Sequence, residues 1–175
     1  MLAVTKAKNK RDTSHILLKA PSGVFFGFKE NTMSDFGYKS RENLSTVNEG
    51  LIRVAFAVVQ IPGFNHSIIC GHRNEKNQTA AFEAGNSKTP WPDSNHNVLP
   101  SDALDFLPYP FDDYPQQGTE TYFKELARWY AISAAYIAIG HNMGIELRGG
   151  FDWDRDGIYT DQTFDDIGHI EIIRR

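Results

Sequence analysis

The sequence has one cysteine, Cys70, so no intrachain disulfide can form and the fold is compatible with a reducing cytosol. It also lacks an apolar run long enough to cross a bilayer. The stretch from Ile16 to Phe28 is interrupted by Lys19, Pro21, Ser22 and two glycines, and the aliphatic run from Ala131 to Ile139 falls well short of the ~20 residues a span needs. No segment has the order of a secretory leader, because Met1 to Asp12 is mostly polar and basic. Positive charge is not in excess: 18 Lys and Arg against 22 Asp and Glu leave a formal charge of -4, which argues against non-specific nucleic-acid binding. Internal repeats and low-complexity tracts are absent as well. What is present, 41% hydrophobic and 13% aromatic residues over 175 positions, suits one ordinary globular domain with a sizeable core.

Residues 1–32 read as an N-terminal extension of unknown role, and 33–175 as the compact domain. The first twenty residues are basic, with Lys6, Lys8, Lys10, Arg11 and Lys19 against Asp12, and a small hairpin is expected around Pro21-Ser22-Gly23. From Glu42 to Val59, apolar residues recur at Leu44, Val47, Leu51, Val54, Ala55 and Val58, the period of an amphipathic helix that Pro62-Gly63 ends. A strand is expected over His66 to Cys70. A second helix is expected over Glu75 to Ala84, with Gly85 at its C-terminal cap. Further expectations are a strand over Ala103 to Leu107, a proline-rich loop over Pro108 to Pro115, and a long, central helix over Thr121 to Asn142. Strands over Ile145 to Arg148 and His169 to Ile173 complete the set. Helices with interspersed strands and no βαβ regularity indicate an α+β fold with a small antiparallel sheet.

A catalytic metal needs about three ligands from His, Asp, Glu or Cys. Six histidines are available: His15, His66, His72, His96, His141 and His169. An isolated histidine in a strand is more often a hydrogen-bonded structural residue, and His66, His72 and His141 are assigned to structure or surface. His96 and His169 keep unusual company. Asp105 sits between Leu104 and Phe106 in an apolar strand, where a carboxylate is costly unless something pairs with it, and a metal shared with His96 would compensate. Asp166 stands three residues before His169, a place from which a carboxylate can deprotonate a water. Separately, Asp152, Asp154 and Asp156 alternate before Gly157 as in calcium loops, although Thr163 occupies the position of the closing glutamate. The bland alternative there is a polar turn. Trp91, Trp129 and Trp153 read as packing residues, with Trp153 near the site.

Ser94, His96, Ala103, Asp105, Asp166 and His169, in that order, resemble the family of zinc D-alanyl-D-alanine carboxypeptidases and dipeptidases and of phage L-alanyl-D-glutamate endolysins. The match covers roughly Phe36 to Ile173. Cys70-Gly71-His72-Arg73 resembles the family's arginine segment, and Gln78 and Gly149-Gly150-Phe151-Asp152-Trp153 look like its phage branch. The chain departs from the pattern by two extra residues between His96 and Asp105, and by Cys70 and His72 where Ser and Tyr are commoner.

The resemblance implies a D-alanyl-D-alanine peptidase/hedgehog-like fold, with zinc on His96, Asp105 and His169, Asp166 as general base and Arg73 at the oxyanion. It further implies a monomeric endolysin that cuts the L-Ala–D-Glu bond of the peptidoglycan stem peptide. Such an enzyme would be made in the host cytoplasm and act at the periplasmic wall, with no nucleic-acid partner and no stable membrane insertion. A D,D-carboxypeptidase acting on D-Ala-D-Ala is the nearest alternative. A non-catalytic wall- or calcium-binding module is a further one, which the intact residue set disfavours.

Overall fold

Alternation in two short segments sets the architecture. In Ala103–Pro108 and Asp166–Ile172, Leu104, Phe106 and Ile170 point to one side and are fully buried, while Asp105, His169 and Glu171 point to the other. The computed structural model describes residues 35–111 and 116–173, within the second of two compact units, Ser34–Arg175. Its elements are α1 (Tyr38–Leu44), α2 (Glu49–Val59), β1 (His66–Cys70), α3 (Glu75–Glu83), β2 (Ala103–Pro108), α4 (Glu120–Asn142), β3 (Leu147–Gly150) and β4 (Asp166–Ile172), with a 3-10 turn at Asn95–Asn97. The sheet runs β1-β2-β4-β3 with every neighbouring pair antiparallel, so the fold is α+β with a small antiparallel sheet. The hairpin expected around Pro21-Ser22-Gly23, His15 and residues 112–115 of the proline-rich loop lie outside the described residues.

Helices α2 and α4 pack together, and α4 crosses β2, β4 and β3. Their apolar residues, among them Leu51, Val54, Val58, Ile132 and Tyr136, join Leu104, Phe106 and Ile170 in one core. Burial at ~25 cal/mol per Å² makes this the main source of stability. The other face of the sheet is left for polar side chains.

The helix expected over Glu42 to Val59 is two helices. All six periodic residues are buried as the pattern requires, but the backbone breaks between Ser45 and Asn48. Asn48 caps α2 by accepting from Gly50 N at 3.0 Å, and Val47 forms a parallel bridge with Ser101. Thr46 Oγ1 also accepts from His72 N at 2.9 Å, so the break ties down both the 71–73 segment and the loop that leads into β2.

The long helix is central in its packing but not buried all round: Ile132, Ser133 and Tyr136 are buried, whereas Ala131, Ala134 and Ala138 are exposed. Small alanines on the outer side gave the impression of an all-apolar cylinder. Gly85 does follow α3 at φ 76°, the left-handed position a C-terminal cap favours. The last two strands start later and earlier than expected, at Leu147 and Asp166: β3 extends through Gly150, which pairs with Asp166 across a shift in register.

His66 proves structural. Its Nδ1 donates to Phe64 O at 2.8 Å, so its Nε2 is left to accept from Tyr136 OH at 2.6 Å, which fixes a neutral ring. Burial pushes its pKa down to about 4. The unfolded chain takes up this proton near pH 6.5, the folded one only near pH 4. Stability from this group is therefore intact above pH 6.5 and lost as pH falls to about 4. Urea unfolding should show a loss of about 3 kcal/mol across that window that is absent in His66→Gln. Equal pH profiles for the two proteins would contradict this account.

Candidate functional site

Strand register assembles the site. Cys70 pairs with Asp105 across β1 and β2, and Asp105 pairs with His169 across β2 and β4, so the three lie in one row. Below it runs a second row, in which Arg148 pairs with Glu171 and Glu171 with Ala103. His96 arrives from outside the sheet on the one-turn 3-10 helix. Ser94 and Asn97 close that turn with a reciprocal capping box, and Arg73 N holds His96 O at 2.8 Å.

Three atoms converge there. His96 Nε2 lies 3.2 Å from Asp105 Oδ1 and 3.3 Å from His169 Nδ1, and His169 Nδ1 lies 2.9 Å from Asp105 Oδ1. The far nitrogens are already engaged: His96 Nδ1 donates to Gly71 O at 2.6 Å, and His169 Nε2 to Glu171 Oε2 at 3.1 Å. Those bonds fix both tautomers so that two nitrogen lone pairs and a carboxylate oxygen face one another. Such an array suits a proton or a metal cation between its members.

The electrostatics agree. Burial opposes charge on His96 and His169, yet the Asp105 carboxylate outweighs it and raises both. Burial likewise opposes charge on Asp105, and the two imidazoles hold it well below the usual carboxylate range. A divalent cation can take the place of the recruited proton.

Asp166 joins Asp105 and His169 as a group whose ligand atoms lie within 4.8 Å of one another. In a regular strand a residue three before His169 would face the other way. The register of β3 on β4 jumps between Gly149 and Gly150, and Asp166 pairs with Gly150 instead of continuing the ladder. Burial, and then the Asp105 charge, raise the Asp166 pKa, which suits a base working nearer neutrality. Arg73 is neither a surface ion pair nor an unattached donor. It is 19% exposed, its Nη2 pairs with Asp105 Oδ2, and its Nε donates to Cys70 Sγ at 3.3 Å. Gln78 is fully buried, bonded to Ser87 and Thr89, and its Oε1 accepts from Asn97 at 3.3 Å beside the His96 turn.

Arg73, Asp105 and Asp166 line one cleft of about 500 Å³, whose other wall is aromatic: Phe111, Tyr122, Trp129 and Phe164. Trp153 packs on His169 with ring centroids 5.2 Å apart, while Trp129, between cleft and core, packs at a tilt on Phe106. Asp152, Asp154 and Asp156 form a separate candidate cation group. There Asp152 accepts from the Asp156 and Gly157 amides at 3.2 Å each.

Two further residues, which no motif marks, support the site. Glu171 is 5% exposed and holds His169, and Arg148 holds Glu171, its Nε donating to Oε1 at 2.9 Å. The signal was present in the spacing: His169 and Glu171 are two apart in a strand, hence on one face.

A buried three-donor cluster flanked by a carboxylate and a guanidinium, at an open cleft, is the arrangement that metal-assisted hydrolysis requires. The chain belongs to the phage L-alanyl-D-glutamate peptidase family, whose model matches residues 33–173. It is 28% identical over 142 residues to the L-alanyl-D-glutamate peptidase of Escherichia phage T5, covering 79% of this chain and 97% of that protein. Its fold is similar to that of the Serratia marcescens L-Ala D-Glu endopeptidase ChiX, with TM-score 0.57 and 21% identity over 82% of this chain and 94% of the other. No helix among the described residues is long and apolar enough to cross a membrane.

Glu171→Gln should weaken divalent-metal binding about tenfold, by loosening the His169 ring, while leaving the helices intact. Chelator competition followed by circular dichroism measures both. Unchanged affinity would mean that the Glu171 bond does not hold the ring.

Proposed function

We propose that the protein is a zinc-dependent peptidoglycan endopeptidase, a phage endolysin that hydrolyses the L-Ala–D-Glu bond of the stem peptide. The observation that carries this reading is the triangle of His96 Nε2, Asp105 Oδ1 and His169 Nδ1, with edges of 2.9 to 3.3 Å. Zinc bonds of ~2.0–2.2 Å in a tetrahedron imply ligand separations of roughly 3.3–3.6 Å, so the triangle needs to open by a few tenths of an ångström. One carboxylate and two histidines also suit a catalytic zinc with a position left open. The family and the T5 relative supply the scissile bond.

Zinc, when bound, polarises the scissile carbonyl and brings the pKa of a water toward ~7. Asp166 takes the proton of the attacking water and passes it to the departing amine. Arg73, held beside the cluster, donates to the oxyanion, a contribution often worth about 3 kcal/mol. The aromatic wall of the cleft receives the flanking peptide, and Glu171 keeps His169 in the binding tautomer. Asp152, Asp154 and Asp156 are assigned to a calcium ion. Their loop carries Trp153, which packs on His169, so calcium would order that side of the site.

Purified Gram-negative sacculi, digested and analysed by mass spectrometry, test this reading. The zinc-loaded protein, with about one zinc per chain, should release peptides beginning at D-Glu. His169→Ala should lose both zinc and release, and Asp166→Asn should keep zinc with product formation reduced at least about 100-fold. Calcium titrated into the same assay should raise the rate in the wild type and not in Asp154→Ala/Asp156→Ala. Release of D-Ala alone would replace the endopeptidase with a carboxypeptidase, and full activity without zinc would discard the ligand set. An identical calcium response in the double variant would remove the calcium assignment.

A further inference from the structure

Cys70 is absorbed by none of these roles, yet it sits within the cluster. The β1–β2 register shifts between Ile68 and Cys70, a bulge of the kind that re-aims a side chain, and leaves Cys70 opposite Asp105. Its sulfur then meets two site residues: Arg73 Nε at 3.3 Å and His96 Nδ1 at 3.9 Å. The first of these is a donor–acceptor bond with normal reach for sulfur. The second is a flank contact, since His96 Nδ1 already donates to Gly71 O.

From this geometry we infer that Cys70 is a positioning residue for the reaction, holding the Arg73 guanidinium through Nε so that its remaining nitrogens are correctly aimed. The inference rests on the zinc endopeptidase reading above. A guanidinium is planar, and two fixed nitrogens determine where the third points. In Arg73, Nε is fixed by Cys70 and Nη2 by Asp105 Oδ2. Nη1 has neither partner, and Arg73 lines the cleft. Without the sulfur, the side chain can rotate about the single Asp105 contact and Nη1 loses its aim. A donor aimed at charge that develops only in the transition state contributes to kcat more than to KM. Serine, the commoner residue at this place in the family resembled, keeps an acceptor there; alanine removes it.

The test compares zinc-loaded wild type, Cys70→Ser and Cys70→Ala on a stem-peptide substrate, with zinc content measured for each. Cys70→Ala should lose about tenfold in kcat with KM within about twofold, and Cys70→Ser should stay within about threefold of wild type. Lysine has no Nε–H of this kind, so in an Arg73→Lys background Cys70→Ala should cost nothing further. Nitrogen-15 NMR supplies a readout independent of turnover: the Arg73 Nε–H should be protected from solvent exchange in wild type and Cys70→Ser, and exposed in Cys70→Ala. A kcat unchanged in Cys70→Ala, a tenfold loss that persists in Arg73→Lys, or a loss that follows zinc content would each overturn the inference. Protected Nε–H lost in Cys70→Ala, in a protein that cuts no stem peptide, would uphold the clamp and reject the substrate assignment instead.

Discussion

A carboxylate taken out of water into the middle of a sheet costs several kcal/mol unless cations and donors surround it. Asp105 is 8% exposed in the middle strand pairings of the sheet, and three side chains around it act as compensation. His96 and His169 meet one of its oxygens, and Arg73 meets the other. Each compensating group is in turn held: His96 by Gly71 O, His169 by Glu171, Arg73 by Cys70. Removing any one of them leaves charge buried without its partner, which is why the cluster is organised before a metal arrives. That preorganisation is what a catalytic site requires, because groups already aimed need no reorganisation as the reaction proceeds.

The rest of the fold can be understood as delivering six side chains to that point. Antiparallel register brings Cys70, Asp105 and His169 into a row. The interrupted ladder at Gly149/Gly150 returns Asp166 to their side. The break between α1 and α2, bonded to Ser101 and to His72, fixes the two irregular segments that carry His96 and Arg73. Close backbone approach is needed at Gly71, where a Cβ would fall 2.6 Å from Asn43 O, so the carbonyl that orients His96 can be supplied only by glycine without displacement. On the opposite face, α2 and α4 bury the apolar side of the same strands, so the core and the site share β2 and β4.

Much of this was legible in the residues. The β1 strand, α3 with Gly85 after it, and the antiparallel α+β class follow from local pattern and turn chemistry, and the motif order pointed to His96, Asp105, Asp166 and His169 as one group. The break at Ser45–Asn48 was hidden because the apolar period runs through it unchanged; only the tertiary bonds of Thr46 and Val47 decide it. The exposure of α4 was hidden because alanine suits either environment. Glu171 shares a face with His169 by spacing, but Arg148 was hidden because an acid and an arginine in separate strands carry no sign of pairing until register sets them opposite each other. The clamp on Arg73 depends on a bulge, which no periodicity announces.

The central claim is that His96 Nε2, Asp105 Oδ1 and His169 Nδ1 form one preorganised zinc site. Anomalous scattering recorded on either side of the zinc absorption edge, from crystals of the zinc-loaded protein, addresses it directly. The account predicts one strong peak bonded to those three atoms at ~2.0–2.2 Å, with Glu171 and Gly71 O still on the far nitrogens. A peak on Cys70 or on His96 Nδ1, or none at the cluster in an active protein, would contradict it.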